Sequence, residues 1–328
     1  MTETMTEPAS ANPDQTLTPE HLMHHLQHVY NILRHDAAGS LPDYIPELSQ
    51  ANPAHFALSV TLKSGQTLQV GDCEARFTLQ SLSKPFGYAL ALQTCGQDAV
   101  EGVVNTEPSG DGFNSIRLDE GKFRPDNPMV NAGALAISSL LLERHGAHAL
   151  QQLQNLFQQI LGRDLPTDAR VFTSENRTAH RNRAIVHLMH NLGMVQQDPE
   201  QILRLYLQQC ALQVQVQDLS RLAATLALGG KIPGQTLQAL PKGVVRQVLS
   251  VMFSCGMYNS AGEWACKVGL PAKSGVSGGL MAASPGKLGI AVYSPLLNAY
   301  GHSHRGVLAC QMLARRLKLH LFQLEATP

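Results

Sequence analysis

A serine and a lysine three residues apart form the sharpest chemical signal in this 328-residue sequence. Ser81 and Lys84 stand within residues 80–85, where an irregular polar stretch gives way to an apolar helical pattern. Positions i and i+3 of a helix share a face, so the Lys84 amine is expected beside the Ser81 hydroxyl. A lysine whose pKa is lowered by burial accepts a serine proton and activates the nucleophile. The alternative reading is an N-cap serine and a surface lysine.

A second signal lies far downstream, at Lys273, Ser274 and Gly275, on a predicted strand. In serine acyl-transferases of the penicillin-recognising type, S-x-x-K on a helix is accompanied by K-[ST]-G on a facing strand. The glycine lets a substrate lie against the strand, and a neighbouring backbone amide contributes to an oxyanion hole. The third motif of those enzymes, S-D-N, is missing from the intervening segment. The pattern therefore favours a relative with a different third element over an ordinary β-lactamase.

Polar side chains interrupt apolar sequence between and after these motifs, at Asn131, Glu175, Asn182, Tyr206 and Tyr258. A pocket for an amino-acid head group needs a carboxylate to meet the ammonium, and amide or hydroxyl donors to meet the carboxylate. The glutamate and the asparagines meet those needs. Each residue taken singly also fits a structural role, either as a satisfied buried polar group or as part of an amphipathic core.

The elements that position these residues are of two kinds. Alternating residues predict a hairpin over 56–70, which follows an amphipathic helix over 19–35 capped by Thr18. Helical periodicity then fills residues 81–229, without clear strand signals. Short strands return at 272–276, 279–283 and 289–294, before a closing helix at 306–324.

Sheet segments at both chain ends predict an α+β fold: an antiparallel sheet with flanking helices and an inserted all-helical domain. The predicted division is a disordered tail at residues 1–18, a discontinuous sheet domain at 19–80 and 260–328, and a helical domain at 81–259. We expect these parts to form a single catalytic unit with the site in the cleft between them.

Composition excludes several classes of function. Lys plus Arg and Asp plus Glu both total 25, so the net charge is zero and a nucleic-acid partner is not expected. No apolar run reaches membrane-spanning length, and no secretory signal is recognisable, so no membrane association is predicted. The six cysteines form no C-x-x-C pair and indicate free thiols in the cytoplasm.

Four histidines cluster on the first predicted helix: His21, His24, His25 and His28. They lack the carboxylate partner of an H-E-x-x-H site. A solvated helix face is favoured over a metal site, and no metal or organic cofactor is predicted.

The whole chain resembles the serine-dependent glutaminases, which hydrolyse L-glutamine to L-glutamate and ammonia. The resemblance covers about residues 20–325 and is loose only around Gly112 and Ser115. It is carried by blocks in the family's order: 43–48, 80–84, 107–110 with 113–114, 127–134, 174–175 with 181–182, 254–258 and 270–276. It implies a β-lactamase/transpeptidase-like fold and a homodimer or homotetramer.

The resemblance also implies a role for each matching residue. Ser81 is the nucleophile and Lys84 its base. Tyr258 and Tyr206 relay or donate protons, and Lys273 has a supporting electrostatic role.

The substrate contacts that it implies extend beyond this set. The groups that hold the α-amino and α-carboxylate ends are Tyr44, Asn131, Glu175 and Asn182. The backbone N–H groups of Val276 and Ser81 form the oxyanion hole. Sequence does not decide which tyrosine protonates ammonia, nor whether glutamine is preferred over asparagine or phosphate is needed for activity.

Two other readings stay open. One is a serine hydrolase of the same fold that acts on another amide or ester, such as a β-lactam, and this reading requires acylation by a labelled penicillin. The other is a non-catalytic amino-acid-binding protein, for which a buried lysine beside a serine has no use.

Overall fold

The structure is a computed structural model that describes residues 17–43, 45–112, 118–119, 121 and 123–324. Most of the predicted disordered tail, residues 1–16, lies outside the described residues. So do Tyr44 and the pair Phe113 and Asn114 of the family resemblance.

The strands of the described chain come from three regions: β1 (Ala57–Leu62), β2 (Thr67–Gly71), β3 (Phe77–Thr78), β4 (Gln213–Val214), β5 (Ala272–Ser274), β6 (Gly279–Ser284) and β7 (Leu288–Tyr293). Five of them form one antiparallel sheet in the order β2-β1-β7-β6-β5. Strand β1 pairs with β7, with Ala57 opposite Tyr293 and Leu62 opposite Leu288. This pairing joins the two chain ends and confirms the predicted fold class. The domain boundaries near residues 80 and 260 stay a prediction.

The helices fill most of the chain between and around the strands: α1 (Pro19–Leu33), α2 (Lys84–Cys95), α3 (Gln97–Val103), α4 (Asn131–His145), α5 (Ala149–Leu161), α6 (Ala169–Thr178), α7 (His180–Asn191), α8 (Pro199–Cys210), α9 (Val216–Ala227), α10 (Lys242–Cys255), α11 (Ala261–Lys267) and α12 (His304–Arg316). None of these described helices is long and apolar enough to cross a membrane.

Two local expectations were wrong. The closing helix ends at Arg316 rather than near 324, because Lys318 adopts a left-handed φ of 51° and the Leu319 N–H turns back to the Ala314 carbonyl. This is a Schellman ending. The segment predicted as wholly helical contains β4, whose two residues are too few to give a strand pattern.

The central sheet packs helices on both faces because side chains alternate along each strand. Leu58 and Val60 of β1 belong to the apolar cluster that includes residues of α1 and α12. Ser59 and Thr61, which alternate with them, direct their hydroxyls to the Ser220 hydroxyl of α9, at 2.8 and 2.7 Å. Close contact with α9 depends on Gly289, where an added Cβ would lie 2.2 Å from the Ala224 nitrogen.

Candidate active site

Ser81 lies in a 3₁₀ turn, Gln80–Ser83, that leads directly into α2. The α-helix itself begins at Lys84, so the serine lies just ahead of it. Gln80 has a φ of 50°, a left-handed conformation that is unfavourable for a residue with a Cβ and that clusters at functional sites. Gly275 lies against this turn, since an added Cβ there would come 3.0 Å from the Leu79 carbonyl oxygen. The structure therefore brings the S-x-x-K turn and the K-S-G strand together.

Lys84 is a buried amine with two fixed acceptors. Its Nζ donates to the Met129 carbonyl at 3.0 Å and to Asn131 Oδ1 at 2.7 Å. Burial lowers the pKa of Lys84 to about 7, although the negative charge of Glu175 acts in the opposite direction. A lysine with this pKa is half neutral near neutral pH, as a general base must be.

Tyr258 links Ser81 to a second buried lysine. Burial raises the pKa of Tyr258, and a hydrogen bond between the Ser81 and Tyr258 side chains partly offsets that effect. Lys273 Nζ lies 2.8 Å from Tyr258 Oη and 2.7 Å from the Ser274 carbonyl oxygen, to which it donates. Burial and, after it, the charge of Lys84 lower the pKa of Lys273 well below its ordinary value. The sequence motif suggested only a supporting charge, whereas Lys273 contacts the Tyr258 hydroxyl directly.

Asn131 is the hub of the helical side of the site. Its Oδ1 accepts from Lys84 and, at 3.1 Å, from the Tyr206 hydroxyl. Its Nδ2 donates to Asn182 Oδ1 at 2.9 Å. Lys84 Nζ lies 5.8 Å from the ring centroids of both Tyr206 and Tyr258. Two elements distant in sequence, α4 and α8, thus surround the lysine with the polar groups singled out in the sequence.

Glu175 is the buried carboxylate of the site. Gln80 Nε2 donates to its Oε2 at 3.2 Å. Burial raises the pKa of Glu175 to about 7, while the Gln80 hydrogen bond and the charge of Lys84 act to lower it. Gln80, the residue directly before Ser81, thereby connects the carboxylate to the serine turn. Sequence reasoning gave Gln80 no role, and its position directly before the serine was the only signal.

Val276 directly follows Gly275, the residue that lies against the serine turn. Its side chain is half-buried and packs against Ile45, Leu48 and Val171. A cavity of about 350 Å³ lies beside Val276 and Asn259, the residue after Tyr258. Tyr44, the remaining predicted substrate contact, lies outside the described residues.

The histidines of α1 lie in a different part of the fold. His21 Nε2 and His25 Nε2 are 2.9 Å apart, and burial and the charge of His21 lower the pKa of His25 to about 4. Within the described ranges, no three His, Cys, Asp or Glu side chains group as metal ligands would.

These groups together supply the parts of an acyl-transfer site. A serine hydroxyl lies beside a phenol, an amine of near-neutral pKa lies 5.8 Å from the ring centroid of that phenol, and a second amine contacts the phenol hydroxyl. The buried carboxylate and the asparagine pair match the two charged ends of an amino acid.

Comparison with known proteins points to one family. The family model described as Glutaminase matches residues 39–322. The chain is 47% identical over 310 residues to a glutaminase of Trichormus variabilis, across 94% of this chain and 93% of that protein. It is 42% identical over 306 residues to a glutaminase of Corynebacterium glutamicum, across 92% of this chain and 73% of that one.

Solved structures agree with the sequence comparison. A crystal structure of Mglu in its glutamate form superimposes with a TM-score of 0.89 at 40% identity, covering 93% of this chain and 71% of that chain. The probable glutaminase ybaS superimposes with a TM-score of 0.89 at 34% identity, covering 94% of this chain and 100% of the other. A probable glutaminase of Bacillus subtilis gives 0.85 at 34%, covering 92% and 98% of the two chains.

Proposed function

This chain belongs to the glutaminase family and is an amidohydrolase of that type, and we propose that it cleaves L-glutamine through a covalent ester on Ser81. The observation that carries the proposal is the buried contact chain from Ser81 to Tyr258 and on to Lys273, with Lys84 beside it. Such a chain prepares a hydroxyl to lose a proton and later to receive one.

Substrate binding uses the helical side of the site. Glu175 meets the α-ammonium group, which by its charge returns the raised carboxyl pKa toward its ordinary range. Asn131 and Asn182 meet the α-carboxylate. An amide nitrogen carries two hydrogens, and the Nδ2 of Asn131 uses one on Asn182, so the other serves a substrate oxygen. We propose Tyr44 as a further contact.

Acylation begins when Ser81 Oγ attacks the side-chain amide carbon of glutamine. The hydroxyl proton passes to Lys84, with Tyr258 as the relay, while the carbonyl electrons move to oxygen. The backbone N–H groups of Ser81 and Val276 stabilise this oxyanion, an interaction typically of about 3 to 4 kcal/mol for one donor. The carbon–nitrogen bond then breaks as the leaving nitrogen receives that proton back from Lys84 through Tyr258, and ammonia departs.

Tyr258 is the proton donor that we propose for the leaving ammonia. Its raised pKa keeps the phenol protonated at neutral pH, and it is hydrogen bonded to Ser81. The Tyr206 hydroxyl instead donates to Asn131, which favours a role in holding the substrate pocket.

Deacylation repeats these steps with water in place of the serine. Water attacks the glutamyl ester carbon and gives up a proton along the same path. The carbon–oxygen bond to Ser81 breaks, the serine regains its proton, and L-glutamate leaves. Every step uses side chains and backbone amides of this chain and water.

The test is release of glutamate and ammonia from L-glutamine by purified protein. We expect turnover by the wild type and its abolition in Ser81→Ala. The control is Ser138→Ala, which removes a buried hydroxyl. That hydroxyl donates to the Ala134 carbonyl of α4 and accepts from Gln209 Nε2. L-asparagine and a labelled penicillin serve as competing substrates. Absence of glutamine turnover, with phosphate added, would refute the proposal, and acylation by penicillin would favour the alternative hydrolase.

We propose in addition that the protein works in the cytoplasm as a homodimer or homotetramer. All six cysteines are free thiols, which fits a reducing compartment. Light scattering on the eluted protein measures the number of subunits, and a monomer would contradict this proposal.

A further inference from the structure

His302 is a buried polar residue that the proposed reaction does not use. It is 1% exposed and lies two residues before α12, although it is far in sequence from the catalytic motifs. Its ring lies 5.9 Å from the Tyr258 ring, with the planes 16° apart. This buried histidine therefore stacks next to the tyrosine proposed to transfer the proton.

Both nitrogens of the His302 ring are hydrogen bonded. Nδ1 lies 2.7 Å from Ser274 Oγ, and Nε2 lies 2.8 Å from Ser260 Oγ and 3.2 Å from the Met257 carbonyl oxygen. The Ser260 hydroxyl itself donates to the Met257 carbonyl at 2.8 Å. Nε2 must therefore carry the ring hydrogen, and Nδ1 accepts from Ser274. In this network a neutral imidazole therefore has one tautomer.

These contacts bracket a strained residue. Tyr258 has a φ of 52°, a left-handed conformation that is unfavourable for a residue with a side chain and persists only where the surroundings impose it. His302 holds Met257 on one side of Tyr258 and Ser260 on the other. On its other edge it holds Ser274, the neighbour of Lys273.

We propose that His302 is a positioning residue that locks the Met257–Ser260 turn to strand β5, so that Tyr258 Oη stays aligned between Ser81 and Lys273. This inference rests on the proposed function, because it assigns Tyr258 a proton to transfer. The 2.8 Å contact between Lys273 Nζ and Tyr258 Oη joins two elements, and His302 is a second tie between the same two elements.

The surroundings keep this tie neutral. Burial, then the charge of Lys273, lowers the pKa of His302 to about 3. Glu263 and Lys267 of α11 line a small cavity of about 70 Å³ that His302 also lines, and their salt bridge to each other offsets their charges. The phenols that face the ring are Tyr258 and Tyr300. The ring therefore acts as one donor and one acceptor at neutral pH.

Two substitutions separate hydrogen bonding from shape. His302→Phe keeps a flat ring but loses the hydrogen bonds of both ring nitrogens. His302→Gln keeps one donor and one acceptor. We expect His302→Phe to lower kcat about 10- to 100-fold, because a small misplacement of a catalytic group has effects of this size. The KM should change little, because the groups proposed to bind the substrate, Glu175 and Asn131, lie on the helical side of the site. His302→Gln should recover most of the lost kcat.

The matched control is His304→Phe, which removes a histidine bonded to Asp36 outside the site. We expect wild-type kcat and KM from it. Should His302→Phe fail to fold, Ser274→Ala removes only the hydroxyl that reaches His302, and a kcat loss with unchanged KM is again expected. Equal activity of wild type and a folded His302→Phe, or KM rising as much as kcat falls, would overturn the proposal.

A spectroscopic measurement is independent of turnover. The ¹⁵N shifts of His302 should show a neutral ring protonated at Nε2 throughout the neutral range, and Ser274→Ala should change the Nδ1 shift. A protonated ring or the opposite tautomer would also overturn the proposal. If the wild type hydrolysed no glutamine, the proposed function would fail while these shifts still reported the network.

Discussion

The helical side and the sheet side of the site each bury one lysine beside one tyrosine, but the two lysines differ in their electrostatic surroundings. Lys84 contacts Asn131 and is within the influence of Glu175, and its pKa falls to about 7. Lys273 contacts Tyr258, burial lowers its pKa well below the ordinary value of a lysine, and the nearby charge of Lys84 acts in the same direction. Among the described residues, neither lysine forms a salt bridge.

Because their electrostatic surroundings differ, we propose different roles for the two lysines. A group that titrates near neutral pH can take up and return a proton during each turnover, which is the role proposed for Lys84. Lys273, on which the charge of another lysine acts, donates a fixed hydrogen bond to Tyr258 Oη, and we propose that it positions this hydroxyl. The charge of Glu175 acts to raise the pKa of Lys84, whereas the charge of Lys84 acts to lower that of Lys273.

The largest effect should come from removing the titrating amine. Lys84→Met keeps the length of the side chain and its apolar packing, but it deletes the proton acceptor, so kcat should fall about 10³-fold or more. Steady-state hydrolysis of L-glutamine measures this. The control is Lys242→Met, an exposed lysine at the start of α10, which should retain wild-type kcat. Retained kcat in Lys84→Met would break the division of roles.

The next largest effect should distinguish Tyr258 from Tyr206 in kcat and KM. Tyr258→Phe removes the proton relay, so we expect kcat to fall about 10²-fold. Tyr206→Phe removes a hydroxyl that donates to Asn131, so its main effect should be a higher KM. Parallel measurements of kcat and KM on both variants check this, and an equal loss of kcat in the two would contradict it.

The carboxylate should affect binding more than chemistry. Glu175→Gln keeps the shape and an acceptor for Gln80 but loses the charge that meets the substrate ammonium. A hydrogen bond to a charged group contributes about 2 kcal/mol, so KM should rise roughly 30-fold. Isothermal titration of Ser81→Ala with L-glutamine, with and without Glu175→Gln, reads the binding loss directly. Unchanged affinity would remove Glu175 from the pocket.

The pH dependence should report the titration of Lys84 and Glu175 together. Below pH 7, Lys84 becomes protonated and ceases to be a base, because its pKa is lowered only to about 7. Glu175 becomes protonated in the same range and loses its charge, because its pKa is raised to about 7. Both changes act in the same direction, so kcat/KM should fall at least about tenfold per pH unit below that point. A pH profile that is flat from 5 to 8 would contradict these assignments.

Much of the fold follows from local patterns. Thr18 caps α1 with its side chain, as the sequence predicts, and Gly162 ends α5 in the left-handed conformation that glycine favours at helix ends. The hairpin of β1 and β2 also lies where alternation placed it. Such features depend on neighbouring residues, which a sequence displays directly.

The network around the serine depends on distant residues and is harder to predict. The motifs predicted Lys84 beside Ser81, but not the contact of Lys84 with Asn131 or that of Lys273 with Tyr258. The bond from Gln80 to Glu175 joins positions 95 residues apart, and no local pattern encodes it. His302 resembled any other histidine in a loop, and only the packing of three separate segments shows that it is buried.

The most direct test of the account is to trap the covalent intermediate. Wild-type protein mixed with excess L-glutamine, quenched in acid during turnover and digested, should carry a glutamyl ester on the peptide that contains Ser81, as read by mass spectrometry. The ester should be absent from Ser81→Ala and should release glutamyl hydroxamate with hydroxylamine. Full turnover by Ser81→Ala, or an adduct located on another residue, would contradict the central claim that this serine is the nucleophile.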